Sequence, residues 1–200
     1  IKYLADNKEL KFASNITFFV GENGTGKSTL LEAIAVAYGF NAEGGTKNFS
    51  FSTKDTHSEL SEHLTLIKRD YAKDGFFLRA ESLYNAATYI DEVKATHNYG
   101  DVSLHNQSHG ESFLSIVQNR FSGQGLYLLD EPEAALSPMR LMTLIVEMDS
   151  LLKNNSQFII ATHSPILMAF PNAEILQFSE AGIEKVKYYE TEHYKTTKLF

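Results

Sequence analysis

Cysteine is absent from the 200 residues, which excludes disulfide bridges and thiolate-held metal and agrees with a reducing, cytoplasmic setting. Long apolar runs are missing too. Charged or polar residues interrupt every stretch well before the ~20 uncharged residues that span a bilayer. The opening segment, IKYLADNKELKF, carries too many charges and no apolar centre for a secretory leader, although the chain starts at Ile1 rather than at a methionine. Positive charge is in short supply, with 18 Lys and Arg against 25 Asp and Glu and a formal net charge of −7. A nucleic-acid binder ordinarily presents a basic field to phosphates, so overall charge gives that role no support. Repeats, low-complexity tracts and linkers are likewise lacking. One domain over residues 1–200 is the expectation.

What is present suffices for a core: 43% of residues are hydrophobic and 12% aromatic. Glycine, proline and polar clusters divide the chain into alternating extended and helical stretches. Residues 16–20, 48–52, 75–79, 126–129 and 158–161 read as strands, and 29–40, 82–95, 112–121 and 138–153 as helices. The uninterrupted apolar runs at 126–129 and 158–161 suit a parallel sheet buried on both faces. The tail, 175–178 and 183–189, alternates as a closing hairpin. These signals predict an α/β fold with a mostly parallel core sheet, flanking helices, antiparallel edge strands and a short helical insertion over about 82–121.

Between the first strand and first helix stands GENGTGKST. It fits G-x-x-x-x-G-K-[ST] at Gly21, Gly26, Lys27 and Ser28. Glycines allow torsions in which backbone N–H groups converge on phosphate oxygens, and the following helix adds its positive end. The expected cradle runs through Gly21, Glu22, Asn23, Gly24, Thr25, Gly26, Lys27, Ser28 and Thr29. Lys27 is placed to reach the β- and γ-phosphates and Ser28 to ligate Mg²⁺. The simpler alternative is a glycine turn between strand and helix.

LYLLDEPE supplies the partner this loop requires. Asp130 and Glu131 end an apolar strand, where two carboxylates are costly unless a cation or a water uses them. The expected division is Asp130 on the Mg²⁺ shell and Glu131 as base toward an attacking water.

Three further elements follow in order: QSHGES (107–112) before a helix, AALSP (134–138) after the acid pair, and ATHS (161–164) at the end of the last core strand. The series resembles ATP-binding-cassette (ABC) ATPases, and most closely the SMC-, RecF- and OLD-like branch often labelled AAA-family ATPase in bacteria. That resemblance implies that Ser108, Gly110 and Glu111 contact the γ-phosphate of ATP held by a second subunit. It also implies that His163 senses the γ-phosphate, and that the output is an ATP-controlled homodimeric clamp acting on a further protein. Taken alone, S-x-x-E from Ser108 to Glu111 is also the pattern of a helix-capping box.

The sequence departs from the pattern in places. His109 replaces the first signature glycine, and Ser137 stands where an aspartate is usual. No glutamine occupies the Q-loop position, leaving Ser52, Thr53 and Glu81 as candidate substitutes. Three other functions compete: the nucleotide-binding subunit of an ABC transporter, the ATPase component of a DNA repair or defence system, and a nucleotide-binding module without turnover. The expected catalytic set is Lys27, Glu131 and His163, with ATP and Mg²⁺.

Overall fold

Residues 16–20, ITFFV, form β1, and all five are buried. Alternation sends Phe18 and Phe19 into two different hydrophobic clusters, one on each face of the sheet. A computed structural model describes residues 9–47 and 59–199. The strand expected at 48–52 lies outside them.

The remaining strands are β2 (Asp74–Arg79), β3 (Gly125–Asp130), β4 (Gln157–Ala161), β5 (Glu174–Ser179) and β6 (Gly182–Val186). They form one sheet in the order β2-β3-β4-β1-β5-β6. Every neighbouring pair is parallel except β5 and β6. The expected antiparallel edges therefore reduce, among the described residues, to β6 and a lone antiparallel bridge between Gly45 and Phe77.

Helices cover the two faces unequally. Helix α1 (Lys27–Tyr38) puts Leu30, Leu31, Ile34 and Ala35 into the cluster around Phe19. The opposite face takes α2 (Leu83–Glu92), α3 (His109–Arg120) and α5 (Pro138–Lys153), with Ile90, Phe113, Ile116, Leu144 and Met148 against Phe18. Short helices α4 (Pro132–Ala135) and α6 (Pro165–Met168) follow β3 and β4, and α7 (Glu192–Lys198) ends the described chain. Each fully buried Phe or Leu contributes about 1.5–3 kcal/mol over its exposed state, so the two clusters dominate the stabilisation.

Helix boundaries depart from the sequence reading for local reasons. Helix α1 starts at Lys27, not Thr29, because Gly26 takes the left-handed conformation at its N-cap (φ 94°). Helix α3 starts at His109, three residues before the expected 112, because Glu111 folds back onto Ser108. Helix α2 ends at Glu92, and Lys94 follows with φ 55°. The tail strand stops at Val186 instead of 189 and gives way to a 3₁₀ turn (Tyr188–Glu190) and then α7.

Parallel pairing puts the C-terminal ends of β1, β3 and β4 on one edge of the sheet. The loop 21–26, the pair Asp130–Glu131 and the segment Thr162–His163 leave from those three ends. This is the edge where open α/β sheets hold ligands.

Candidate functional site

The glycine loop is shaped by two kinds of restriction. At Gly21 (φ 139°) a Cβ would collide with the backbone carbonyl of Phe178 on β5, so only glycine fits. At Gly24 (φ 80°) a Cβ would meet nothing within 4 Å, so that glycine serves a backbone torsion beside open space. The loop closes on Lys27, whose ammonium donates to the carbonyls of Gly21 (2.8 Å) and Glu22 (2.9 Å). Lys27 is buried, and desolvation holds its pKa below the usual lysine value against the opposing pull of Glu131, Asp130 and Glu133. A cation fixed among carboxylates beside a loop with open space around Gly24 suits a polyanion.

Ser28 Oγ donates to Asp130 Oδ1 at 2.8 Å, joining the start of α1 to the end of β3. The other Asp130 oxygen stands 3.5 Å from Arg79 Nε. Burial nevertheless outweighs both contacts and pushes the Asp130 carboxyl up to about 6. Arg79, at the end of β2, also pairs with Glu32 (2.8 Å) and with exposed Glu81 (3.7 Å). Glu81 thus stands one arginine away from Asp130, while Ser52 and Thr53 lie outside the described residues.

Glu131 adopts φ 49° and ψ 53°, left-handed torsions that a β-carbon disfavours, while its N–H donates to Ala161 O at 2.9 Å. Non-glycine residues in this region collect at functional sites and cost about 1–3 kcal/mol each. Half-exposed Glu131 reaches to 3.9 Å of His163 Nε2 with its Oε1. That Nε2 is buried and has no hydrogen-bond partner, an arrangement that calls for explanation.

The backbone around His163 is held by Glu133, which accepts from Thr162 Oγ1 (2.8 Å) and, through its other oxygen, from the His163 N–H. Burial raises the pKa of Glu133, and these hydrogen bonds oppose the rise. His163 Nδ1 lies 3.4 Å from Nε2 of His193 on α7. Burial first, and Lys27 next, hold His163 below the ordinary histidine range.

Five expected residues therefore converge: Lys27, Ser28, Asp130, Glu131 and His163. Three do not join them. Ser108 caps α3, with its N–H donating to Glu111 Oε2 (2.9 Å) and its hydroxyl to the same oxygen (2.6 Å). Arg140 closes the group, donating to Ser108 Oγ at 3.1 Å and to Glu111 Oε1 at 3.0 Å. Gly110 is required by packing, since a Cβ there would lie 2.6 Å from Arg140 Nη1 and 2.9 Å from the Ala135 carbonyl. His109 Nε2 lies 3.2 Å from the carbonyl of Ala80, just past β2, and Ser137 caps α5. The sequence reading gave no role to Arg79, Glu133 or His193. Glu133 stood in the quoted DEPE; the other two had only a strand end and a polar tail as signals.

The family model described as an AAA domain matches residues 1–120, three fifths of the chain. The chain belongs to the AAA domain family. A second AAA domain model, whose description also names an AbiEii toxin and a type IV TA system, matches residues 110–169 of this AAA domain. The P-loop lies within the first matched span and the acid pair within the second. Among solved structures, the domain is similar to cbiO1 from Clostridium perfringens, part of the ABC transporter complex cbiONQ (17% identity, 95% of this chain, 85% of that chain, TM-score 0.52). The dimeric structure of MJ0796, a bacterial ABC transporter cassette, is also similar (13% identity, 90% and 88% of the two chains, TM-score 0.50). These likenesses concern the fold. In sequence, the AAA domain is 29% identical over 97 residues to structural maintenance of chromosomes protein 6 of Takifugu rubripes, covering 48% of this chain but only 9% of that protein.

Proposed function

We propose that this AAA domain is a Mg²⁺-dependent ATPase, a single domain over 1–200, whose two copies close head to tail around two ATP molecules. The observation that carries the reading is the meeting, at one sheet edge, of Lys27, the Ser28–Asp130 pair and the Glu131–His163 pair. Amides of the 21–29 loop and the start of α1 bind the phosphates, and Lys27 neutralises their charge. Ser28 and Asp130 are fit to hold Mg²⁺, because a hydroxyl and a buried carboxylate, pushed up by its burial, already touch there. Bound there, Mg²⁺ supplies charge neutralisation at the phosphates. Glu131 takes the proton of the attacking water, and His163 offers a ring nitrogen to the terminal phosphate.

The second copy enters because a copy's own signature is out of reach. Ser108 to Glu111 start a helix beside the end of β2, on the sheet face opposite α1. Three strand spacings, about 14 Å, separate β2 from β1. Ser108, Gly110 and Glu111 can meet a γ-phosphate when it belongs to a partner copy. The dimer described for MJ0796 supports this arrangement by analogy of fold. The likeness to structural maintenance of chromosomes protein 6 supports, as a second reading, a role in chromosome maintenance. A transporter subunit has the support of fold likeness to cbiO1 alone. Among the described residues no helix is long and apolar enough to cross a membrane. An ATP substrate suits a cytoplasmic setting, and the target proposed for the clamp is a further protein.

Glu131→Gln is the decisive variant for turnover. General bases contribute about 10²–10⁴-fold, so hydrolysis measured by phosphate release drops at least about a hundredfold while calorimetric ATP affinity persists. Wild-type turnover in Glu131→Gln removes Glu131 from the role.

A further inference from the structure

We propose that His193, on α7, is a positioning residue that sets the ring tautomer of His163, presenting an Nε2–H donor toward the nucleotide. The inference rests on the reading of His163 as a group facing the terminal phosphate.

The geometry leaves two arrangements. His163 Nδ1 and His193 Nε2 are 3.4 Å apart, so one donates and the other accepts. If His163 donated from Nδ1, its Nε2 would present a bare lone pair to the Glu131 carboxylate at 3.9 Å, acceptor facing acceptor. If His193 donates, the single proton of a neutral His163 sits on Nε2. There it faces Glu131 Oε1, and it suits a phosphate oxygen equally well. Nε2 of His163 is buried and has no hydrogen-bond partner within the chain, which is the state expected of a donor kept for a ligand. Both imidazoles are held below the ordinary histidine range, His163 by burial and Lys27 against Glu131, and His193 by burial, His163 and Lys27 against Glu133 and Glu192. Neutral rings are what this exchange of one donor and one acceptor requires.

The support under His193 is firm. Buried Thr191 caps α7, accepting from the Tyr194 N–H (3.2 Å) and donating to the Tyr188 carbonyl (2.7 Å). Tyr188 packs edge-on against Tyr194 and donates its hydroxyl to the Pro165 carbonyl at 3.1 Å, two residues after His163. The two histidines are thus fixed from one local network. The nucleotide-facing imidazole is consequently wired to the C-terminal helix, far along the chain from every motif of the site.

The test uses the whole chain, with ¹⁵N-labelled histidine followed at neutral pH and ATP turnover measured beside it. In the wild type, His163 shows a protonated Nε2 and a bare Nδ1. His193→Phe keeps the ring volume and removes the donor, so the His163 resonances move toward a tautomer mixture and turnover falls about tenfold with ATP affinity retained. His193→Gln, whose amide can donate from about the same place, restores both. In a His163→Ala background, His193→Phe costs nothing further. An Nδ1-protonated His163 in the wild type, or a Gln variant no better than Phe, overturns the proposal. A wild type without ATP turnover would instead refute the ATPase reading, and the tautomer measurement would still decide this one.

Discussion

Ser28 and Asp130 stand 102 residues apart in sequence, yet the serine hydroxyl donates to the aspartate carboxylate at 2.8 Å. That contact ties the phosphate loop to the end of β3 across β4, and it holds a carboxylate that burial has made reluctant to ionise.

Asp130 therefore imposes a pH-dependent cost on the protein without nucleotide. Burial lifts its folded pKa to about 6, above the ordinary aspartate value of 3.8, so its contribution to stability is fully present below 3.8 and is lost as pH rises through about 6. That rise corresponds to on the order of 3 kcal/mol at neutral pH. Asp130→Asn is expected to melt several degrees higher than the wild type at pH 7.5, with the difference shrinking as pH falls below 6. Calorimetric melting across pH checks this, and a variant that melts lower at pH 7.5 contradicts it. The same substitution should cost Mg²⁺-dependent ATP affinity.

Lys27→Ala deletes the ammonium that now bridges the Gly21 and Glu22 carbonyls. Charge-assisted contacts to phosphate are worth about 1.5–3 kcal/mol each, so ATP affinity by calorimetry should fall at least about tenfold. Wild-type affinity in this variant is the contrary result.

Two glycines of the loop should respond differently. Gly21→Ala forces a β-carbon against the Phe178 carbonyl at φ 139°, so the fold itself pays, by about 2 kcal/mol or more. Gly24→Ala meets nothing within 4 Å, so its cost is confined to the φ 80° torsion, about 1 kcal/mol. Chemical denaturation of both variants separates the two, and equal destabilisation contradicts the distinction.

Much of the fold was legible because its signals are local. The strand, loop and helix at 16–38 needed only an apolar run, three glycines and a helical periodicity. Asp130 and Glu131 were legible from position, at the end of a buried strand. What escaped is tertiary: Arg79 acquires its place beside Asp130 from the pairing of β2 with β3, and His193 from the return of α7 to the end of β4. Neither has a local pattern to announce it. The left-handed torsions of Glu131 also run against what glutamate prefers, so no propensity could foretell them. Ser108 illustrates the converse, since its capping box was visible in sequence and is what the single chain forms.

Assembly tests the central claim most directly. If the partner's Ser108 to Glu111 complete the nucleotide site, ATP binding and dimerisation must strengthen each other reciprocally. In analytical ultracentrifugation, Glu131→Gln with MgATP should sediment as a dimer and with MgADP as a monomer. Adding Ser108→Arg, which places bulk beside Glu111, should abolish the dimer while the monomer still binds ATP. A nucleotide-independent oligomer, or a Ser108→Arg protein that still dimerises with MgATP, would contradict the sandwich and leave Ser108 as the cap of α3 alone.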